Sequence, residues 1–420
     1  MHIRHNSPEV IMFLNSLKAS VWCVVLIVLV CGVSRADEFH YNNFLIGDRA
    51  AGMGGAYTAV SDDPTGLYYN PAGIVYGTGR NLSASVNAYY NSQKKYDNVL
   101  AGNSWTRTSS SLLPNFFGIT QPMGKLKFGF SYAVPDSISE DQDQVFYNIP
   151  SGGGLTITQY VLNFNNEDNT YQFGPSIAGE LSKNLSIGAT LYFHQRSSQM
   201  ILNQLLYLSD GSVQWENQYV ELNEQGLRPI VGLMWSPAEK ITIGLALSKV
   251  YVTSSDVRIQ PTTMTATSSL FDISHFDTSS EQKRDYPVEL RAGIAYFASS
   301  SLLLTFDGMY YNKVTDRVSV LNAAVGAEYY LDKNWAVRGG LFSDMANTPE
   351  LASGKTNQLE KIDNYGISAS ISNFTRNTSI TLGTSITTGS GKAQIIRDTT
   401  ASQNASTFGW NLYLSSSYSY

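Results

Sequence analysis

The 420-residue chain has only two cysteines, Cys23 and Cys31, and both fall inside one apolar run near the N-terminus. If that run is removed, no disulfide framework and no thiolate metal site can form. Long apolar runs are scarce as well. A helical span needs about 20 predominantly apolar residues, and only residues 21–33 approach this, which excludes a helical membrane bundle. Charged residues make up 15% of the chain and balance at −6. An acidic chain offers little to phosphate, so nucleic acid is not an expected partner. Beyond the apolar run there are three histidines, His40, His194 and His275. There is no G-x-S-x-G, no H-E-x-x-H and no cluster with metal-ligand spacing. The chain is therefore expected to have no enzymatic activity, no metal and no cofactor.

The apolar run itself reads as a signal peptide. Lys18 supplies the basic flank, residues 21–33 the apolar segment, and Ser34-Arg35-Ala36 a small-x-small cleavage site. Met12 is an alternative start, because the residues before it are unusually polar for a leader. An uncleaved anchor would need a longer run. Lipid attachment at Cys31 is disfavoured by Val30, where such signals want a small residue. Cleavage after Ala36 lowers the net charge further, to −8.

What the chain does have is Tyr (26), Phe (18) and Gly (34), arranged with a period of two. Leu185, Ile187, Ala189, Leu191 and Phe193 alternate with Ser186, Gly188, Thr190, Tyr192 and His194. The same rhythm runs through 126–134, 241–248 and 380–386, and it is the strand signature. Strands are expected near 81–90, 111–121, 125–136, 170–182, 184–197, 218–236, 240–255, 285–298, 301–314, 319–331, 334–346, 361–374, 377–390 and 407–420. Fourteen is an even number, as a closed antiparallel barrel with both ends on one side requires. Tight turns at 122–124, 182–184, 236–240, 298–301, 331–334 and 374–377 alternate with long connections at 91–110, 137–169, 198–217, 256–284, 347–360 and 391–406. The one short exception lies near 315–318. This sorting fits a wall with one short-turned and one long-looped rim, and a soluble sandwich has no reason to adopt it. Hydrocarbon cannot satisfy backbone N–H and C=O groups, so such a wall must close on itself.

Glycines 188, 244, 293 and 383 fall on the inner face, where they let other groups approach. The chain ends on Tyr420, with Trp410, Leu412, Leu414 and Tyr418 sharing one strand face. That ending suits recognition by barrel-assembly machinery and an interfacial girdle among outer-membrane lipids. The reading divides the chain into a leader (1–36), an N-terminal plug (37–80) and an all-β transmembrane barrel (81–420).

Residues 37–78 break the strand rhythm. Arg49-Ala50-Ala51-Gly52-Met53-Gly54-Gly55-Ala56-Tyr57 is rich in small residues and suits a tightly packed segment. Asp62-Asp63-Pro64 and Asn70-Pro71-Ala72-Gly73 are turn chemistry. Gly52, Gly54 and Gly55 lack the dinucleotide-binding spacing, and no βαβ unit follows. The stretch from Arg49 through Asp62-Asp63-Pro64 to Leu67-Tyr68-Tyr69-Asn70-Pro71-Ala72-Gly73 resembles the N-terminal plug of the FadL family. These proteins are outer-membrane transporters of long-chain fatty acids and, in relatives, aromatic hydrocarbons. Residues 324–342 are similar to the family's paired strands joined by a tight turn. The resemblance implies a fourteen-stranded barrel closed by an N-terminal hatch that includes Asn70, Pro71 and Ala72. It also implies passive uptake of a hydrophobic small molecule in the outer membrane of a Gram-negative cell, with release through a gap in the wall.

Arg291, Asp307, Glu328 and Arg338 lie opposite the apolar series and are expected to point inward, since Arg or Lys facing lipid costs about 2–4 kcal/mol at the midplane. Two readings remain open for them. One is an internal salt-bridge network, and the other has Arg291 or Arg338 meeting the carboxylate of an amphipathic ligand. The connection at 137–169, acidic at first and then carrying Leu155, Ile157, Tyr160, Val161, Leu162 and Phe164, forms either a greasy capture groove or a cap that buries those residues itself. A protein-interaction role in secretion or surface attachment is the alternative to transport. A barrel enzyme would have to use His194 as its base.

Overall fold

The computed structural model describes residues 39–151, 154–396 and 399–420. The expected leader, its cleavage site and both cysteines lie outside them. One antiparallel sheet contains every strand. In chain order these are β1 (Asn81–Leu100), β2 (Asn103–Met123), β3 (Leu126–Pro150), β4 (Thr156–Ser182), β5 (Leu185–Leu208) and β6 (Val213–Ala238). Then come β7 (Ile241–Lys249), β8 (Tyr251–Ala266), β9 (Phe271–His275), β10 (Thr278–Ser280), β11 (Val288–Phe297) and β12 (Leu302–Tyr311). The last are β13 (Val320–Tyr330), β14 (Trp335–Asp344), β15 (Lys361–Phe374), β16 (Thr378–Ala393) and β17 (Gln403–Ser419). β1 pairs with both β2 and β17, so the sheet closes on itself. The wall has fourteen strands. β7 and β8 are one strand interrupted at Val250, and β9 and β10 form a flap paired only with β8.

The barrel wall reads as the alternation predicts. On β5, Ile187, Leu191 and Phe193 face outward and stay exposed, while Ser186, Thr190, Tyr192 and His194 are buried inside. Leu304, Phe306, Val325, Leu341, Ile367 and Leu414 continue the exposed apolar band around the wall. Such a band is unsuited to water and fits the hydrocarbon of a bilayer. Among the described residues no helix is long and apolar enough to cross a membrane.

Four of the expected long connections are largely strand. β1 and β2 extend through most of 91–110, β3 and β4 through 137–169, and β5 and β6 through 198–217. Residues 256–284 hold the end of β8 and the β9–β10 flap. The extensions reverse the polarity of the wall. On β4 the outward residues change from Ile177 and Phe173 to Asn169, Glu167, Asn165 and Asn163. The inward ones change from Ser176, Gln172 and Asp168 to Phe164, Leu162 and Tyr160. Beyond the lipid band, water is outside and the apolar residues turn in. They build a packed core of Tyr96, Trp105, Phe146, Phe164, Leu202 and Leu206 with their neighbours, which caps the end opposite the tight turns. Ile157, Tyr160, Leu162 and Phe164 are thus buried by the protein itself, and the capture-groove reading of 137–169 gives way to the cap.

Residues 39–75 run largely inside the barrel, and residues 76–80 emerge at its rim to join β1. The segment includes two short helices, α1 (Asp48–Gly52) and α2 (Gly66–Tyr69), and a 3-10 turn at Pro71–Tyr76. Ile46, Met53, Tyr57, Leu67 and Ile74 are fully buried. They pack against inward wall residues such as Phe116, Tyr192, Ile230 and Leu303, or Ala178 in the case of Leu67 and Ile74. Too short to persist alone, these helices are held by the wall.

Candidate functional site

The Asn70-Pro71-Ala72-Gly73 motif locks the interior segment to the wall. The Asn70 side chain accepts a hydrogen bond from Ala72 N at 3.1 Å, which caps the 3-10 turn, and Pro71 fills the first position, where no N–H is needed. Asn70 Nδ2 donates to Thr58 O at 2.8 Å inside the segment and to Leu233 O of β6 at 3.1 Å. Opposite stands Gly232, where a Cβ would lie 2.0 Å from Asn70 Oδ1. Ser186 and Thr190 donate to the carbonyls of Ala72 and Leu67 at 2.9 and 2.8 Å. Gly188, Gly244 and Gly293 do face the segment, with a Cβ meeting Pro71, Thr58 and Ala59 respectively. Gly383 instead makes room for the Tyr413 ring of the next strand.

Charge completes the attachment. Arg49 donates to Glu328 through Nε at 3.0 Å and Nη2 at 2.7 Å, and to Asp62 through Nη1 at 2.5 Å. Arg338 reaches the same Glu328 through Nε at 2.7 Å. Asp307 Oδ2 accepts from the backbone N–H groups of Tyr57 and Thr58 at 3.0 and 2.8 Å. Asp63 accepts from Thr65 N at 2.8 Å, closing the turn before α2. Gly54 and Gly55 both adopt positive φ, and Gly54 lies against the backbone of β14. Gly52 packs on Ser370, and its carbonyl accepts from Ser368 at 3.1 Å.

Arg291 and Arg338, the two candidates for ligand carboxylates, are both committed to protein carboxylates. Arg338 pairs with Glu328, and Arg291 pairs with Glu289 while lying over the Tyr69 ring at 5.2 Å. Glu289 also takes Arg228 at 2.7 Å and the Tyr311 hydroxyl at 3.1 Å. The network reading therefore describes both arginines. His194 sits between Glu224 at 3.2 Å and Gln172 at 3.4 Å, and no serine appears among its hydrogen-bond partners.

Among the cavities bordered by the described residues, two lie between the segment and the capping core, and the strap at 39–45 contributes to both. One, of about 190 Å³, is lined by Phe44, Tyr90, Tyr96, Trp105, Phe342 and polar groups that include Glu140 and Glu360. The other, of about 120 Å³, lies beside Tyr68, His194, Arg228 and Arg291. The larger cavity borders a break in the wall. β2 and β3 pair from Met123↔Leu126 to Phe116↔Ala133 and then part. They meet again at Ser109↔Glu140 in the same register. Residues 110–115 and 134–139 are thus unpaired with each other, and Pro114 and Pro135, which lack an N–H, sit on the two sides of the opening. β3 also bulges against β4 between Ala133 and Asp136. Asp136, Ser137 and Ile138 line the cavity just inside.

This combination of a closed wall, a filled lumen and a lateral break can be compared with solved structures. A FadL homologue of Pseudomonas aeruginosa superposes with a TM-score of 0.64 at 14% identity, covering 90% of this chain and 99% of that one. The barrel has the FadL-type fold. A mutant of the TodX monoaromatic hydrocarbon channel matches the FadL-type barrel with a TM-score of 0.66 at 14% identity and the same coverage. The toluene transporter TbuX of Ralstonia pickettii matches with 0.59 at 15% identity, again over 90% and 99%. No protein-family model and no curated protein sequence matches the chain. The likeness is thus one of fold, at 14–15% identity.

Sequence reasoning did not find Arg107, Glu140, Asp168, Arg196, Arg228 or Glu289, which form the buried ion pairs above the segment. Their inward parity was the available signal for 196 and 228, since both continue the alternation of their strands. Residues 107, 140 and 168 were hidden because their strand extensions read as loops.

Proposed function

We propose that this chain carries hydrophobic small molecules across the outer membrane by passive diffusion, with residues 39–80 acting as the plug. The observation that carries the reading is the parting of β2 and β3 beside the larger cavity. The axial route is blocked on both sides, by the capping core and by the bonded segment, so a lateral step needs the least rearrangement. The similarity to barrels described as toluene and monoaromatic hydrocarbon transporters supports a greasy cargo. Aromatic hydrocarbons and long-chain fatty acids both fit that class. The tight turns and the chain end would face the periplasm, the capping core the exterior, and barrel-assembly machinery would insert the wall among outer-membrane lipids. No hydrolytic role is assigned to His194, whose ring is held between Glu224 and Gln172.

The described residues contain no cysteine, so a cross-link can be placed cleanly. Cysteines at Ser111 and Ile138, joined by a short bifunctional maleimide, should abolish transfer of a fluorescent fatty acid or of toluene into loaded liposomes. The unlinked double variant should retain most of it. Transfer that survives complete cross-linking would rule out the lateral route. Mass spectrometry of protein extracted in mild detergent should also find co-purified apolar molecules.

One observation favours partner binding as a second reading. The β9 flap holds Phe271, Ile273 and, just beyond it, Phe276 exposed, and no other strand covers its far edge among the described residues. Capture of one specific outer-membrane or surface protein that is lost on deleting the flap, with uptake unchanged, would support it.

A further inference from the structure

The charged groups bordering the capping core are paired with one another, Arg107 with Glu140 and Lys94 with Glu360, whereas one edge is polar without partners. The inward face of β6 presents Gln214, Glu216 and Gln218 in succession, and Glu216 is only 5% exposed. Gln214 Oε1, Glu216 Oε2 and Gln218 Oε1 are all buried without a hydrogen-bond partner. Each such acceptor costs about 1–3 kcal/mol, and an ionised carboxylate costs more. Three in one row is a concentration that native interiors avoid.

Among the described residues no counter-charge approaches Glu216. The cross-strand row reads Gln144, Leu162, Gln204, Glu216 and Thr263. The rows on either side are Phe146, Tyr160, Leu206, Gln214, Thr265 and Gln142, Phe164, Leu202, Gln218, Pro261. Apart from Glu216 itself, none of these residues is charged. A divalent metal is a poor fit, because it would need about six or more oxygen ligands around a single carboxylate.

We propose that Glu216 is a proton latch for the capping core: protonated, it lets the core close, and ionised, it loosens the contact of β6 with β5 and β8. Glu216 lies well beyond the lipid-facing stretch of its strand, which runs through Leu227, Val231 and Trp235. Burial alone pushes its carboxyl up to about 7 from an ordinary 4.5, with no charged side chain contributing. The raised value fixes the sign of the effect. The closed state holds its full advantage below the open-state value near 4.5 and loses it as the pH rises through about 7. A proton arriving or leaving at this one carboxyl would thus set how readily the exterior mouth opens. The proposal does not depend on what passes through the barrel.

The test is hydrogen–deuterium exchange of residues 200–222 in nanodisc-embedded protein, with rates corrected for the intrinsic pH effect. Between about pH 5.5 and about pH 8.5 the opening equilibrium should rise up to roughly thirtyfold. Glu216→Gln, which keeps the shape and removes the titration, should abolish that dependence. Glu216→Leu should hold the segment closed at both pH values, and it serves if the glutamine variant does not assemble. Equal pH dependence in wild type and variant, or none in wild type, would overturn the latch. Closure by added calcium in wild type but not in Glu216→Gln would overturn it in favour of a metal site.

Discussion

Replacing Glu328 with alanine is expected to unseat the interior segment and turn a tight barrel into a leaky one. Glu328 is fully buried and shared by Arg49 of the segment and Arg338 of the wall, at 2.7 Å from each. Removing it leaves two guanidinium groups facing one another on a buried face. Breaking a buried pair from one side costs about 3–5 kcal/mol, which is large beside the hydrogen bonds that remain. Planar-bilayer recordings should then show openings absent from the wild type. Asp285→Ala is the matched control, because its pair with Lys249 is largely exposed and contributes about 0–1 kcal/mol. If Glu328→Ala conducts no more than wild type, the triad does not hold the segment.

A comparably large effect is expected from Gly340→Val on β14. A Cβ there would lie 2.2 Å from Gly54 N and 2.3 Å from Met53 C. Both neighbours are backbone, and Gly54 already sits at positive φ, so the segment cannot yield by turning a side chain. The variant should either fail to assemble or assemble with the segment displaced, which limited proteolysis after Arg49 would detect. Gly308→Val on β12 has open space around the added atoms and should assemble normally. Resistance of the Gly340 variant equal to that of wild type would mean that the two backbones do not meet there.

The lipid-facing wall was legible because one face of each strand carries nearly all the apolar residues, and the period of two survives single exceptions. All fourteen expected strands have counterparts in the structure. The extensions were not legible, because between Tyr171 and Phe164 of β4 the apolar residues change faces while polar ones stay interspersed, so the pattern looks like loop. Parity correctly turned Asp307, Glu328 and Arg338 inward, but it could not name their partners. The Arg49–Glu328 contact joins residues 279 apart, and only the path of the segment through the lumen brings them together. The Asn70-Pro71-Ala72-Gly73 motif announced a turn. That its asparagine would also reach Leu233 depended on Gly232 lying opposite, which no local pattern reveals.

The change of faces along β4 also acts as a waterline. Above it the outer surface is Asn163, Asn165, Glu167 and Asn169, groups that hydrocarbon rejects, and below it Phe173 and Ile177 resist water. Sliding the barrel deeper by two residues of strand, about 7 Å along the tilted strand and about 5 Å along the bilayer normal, would submerge an amide or acid on this strand. A thicker bilayer must therefore thin around the barrel, because the wall cannot be drawn deeper. Proline-flanked and unpaired, the opening at 110–115 and 134–139 adjoins Ala133 and Gln172, at this same level. The height at which a molecule would leave the wall is thus fixed relative to the lipid by the order of residues in the neighbouring strand.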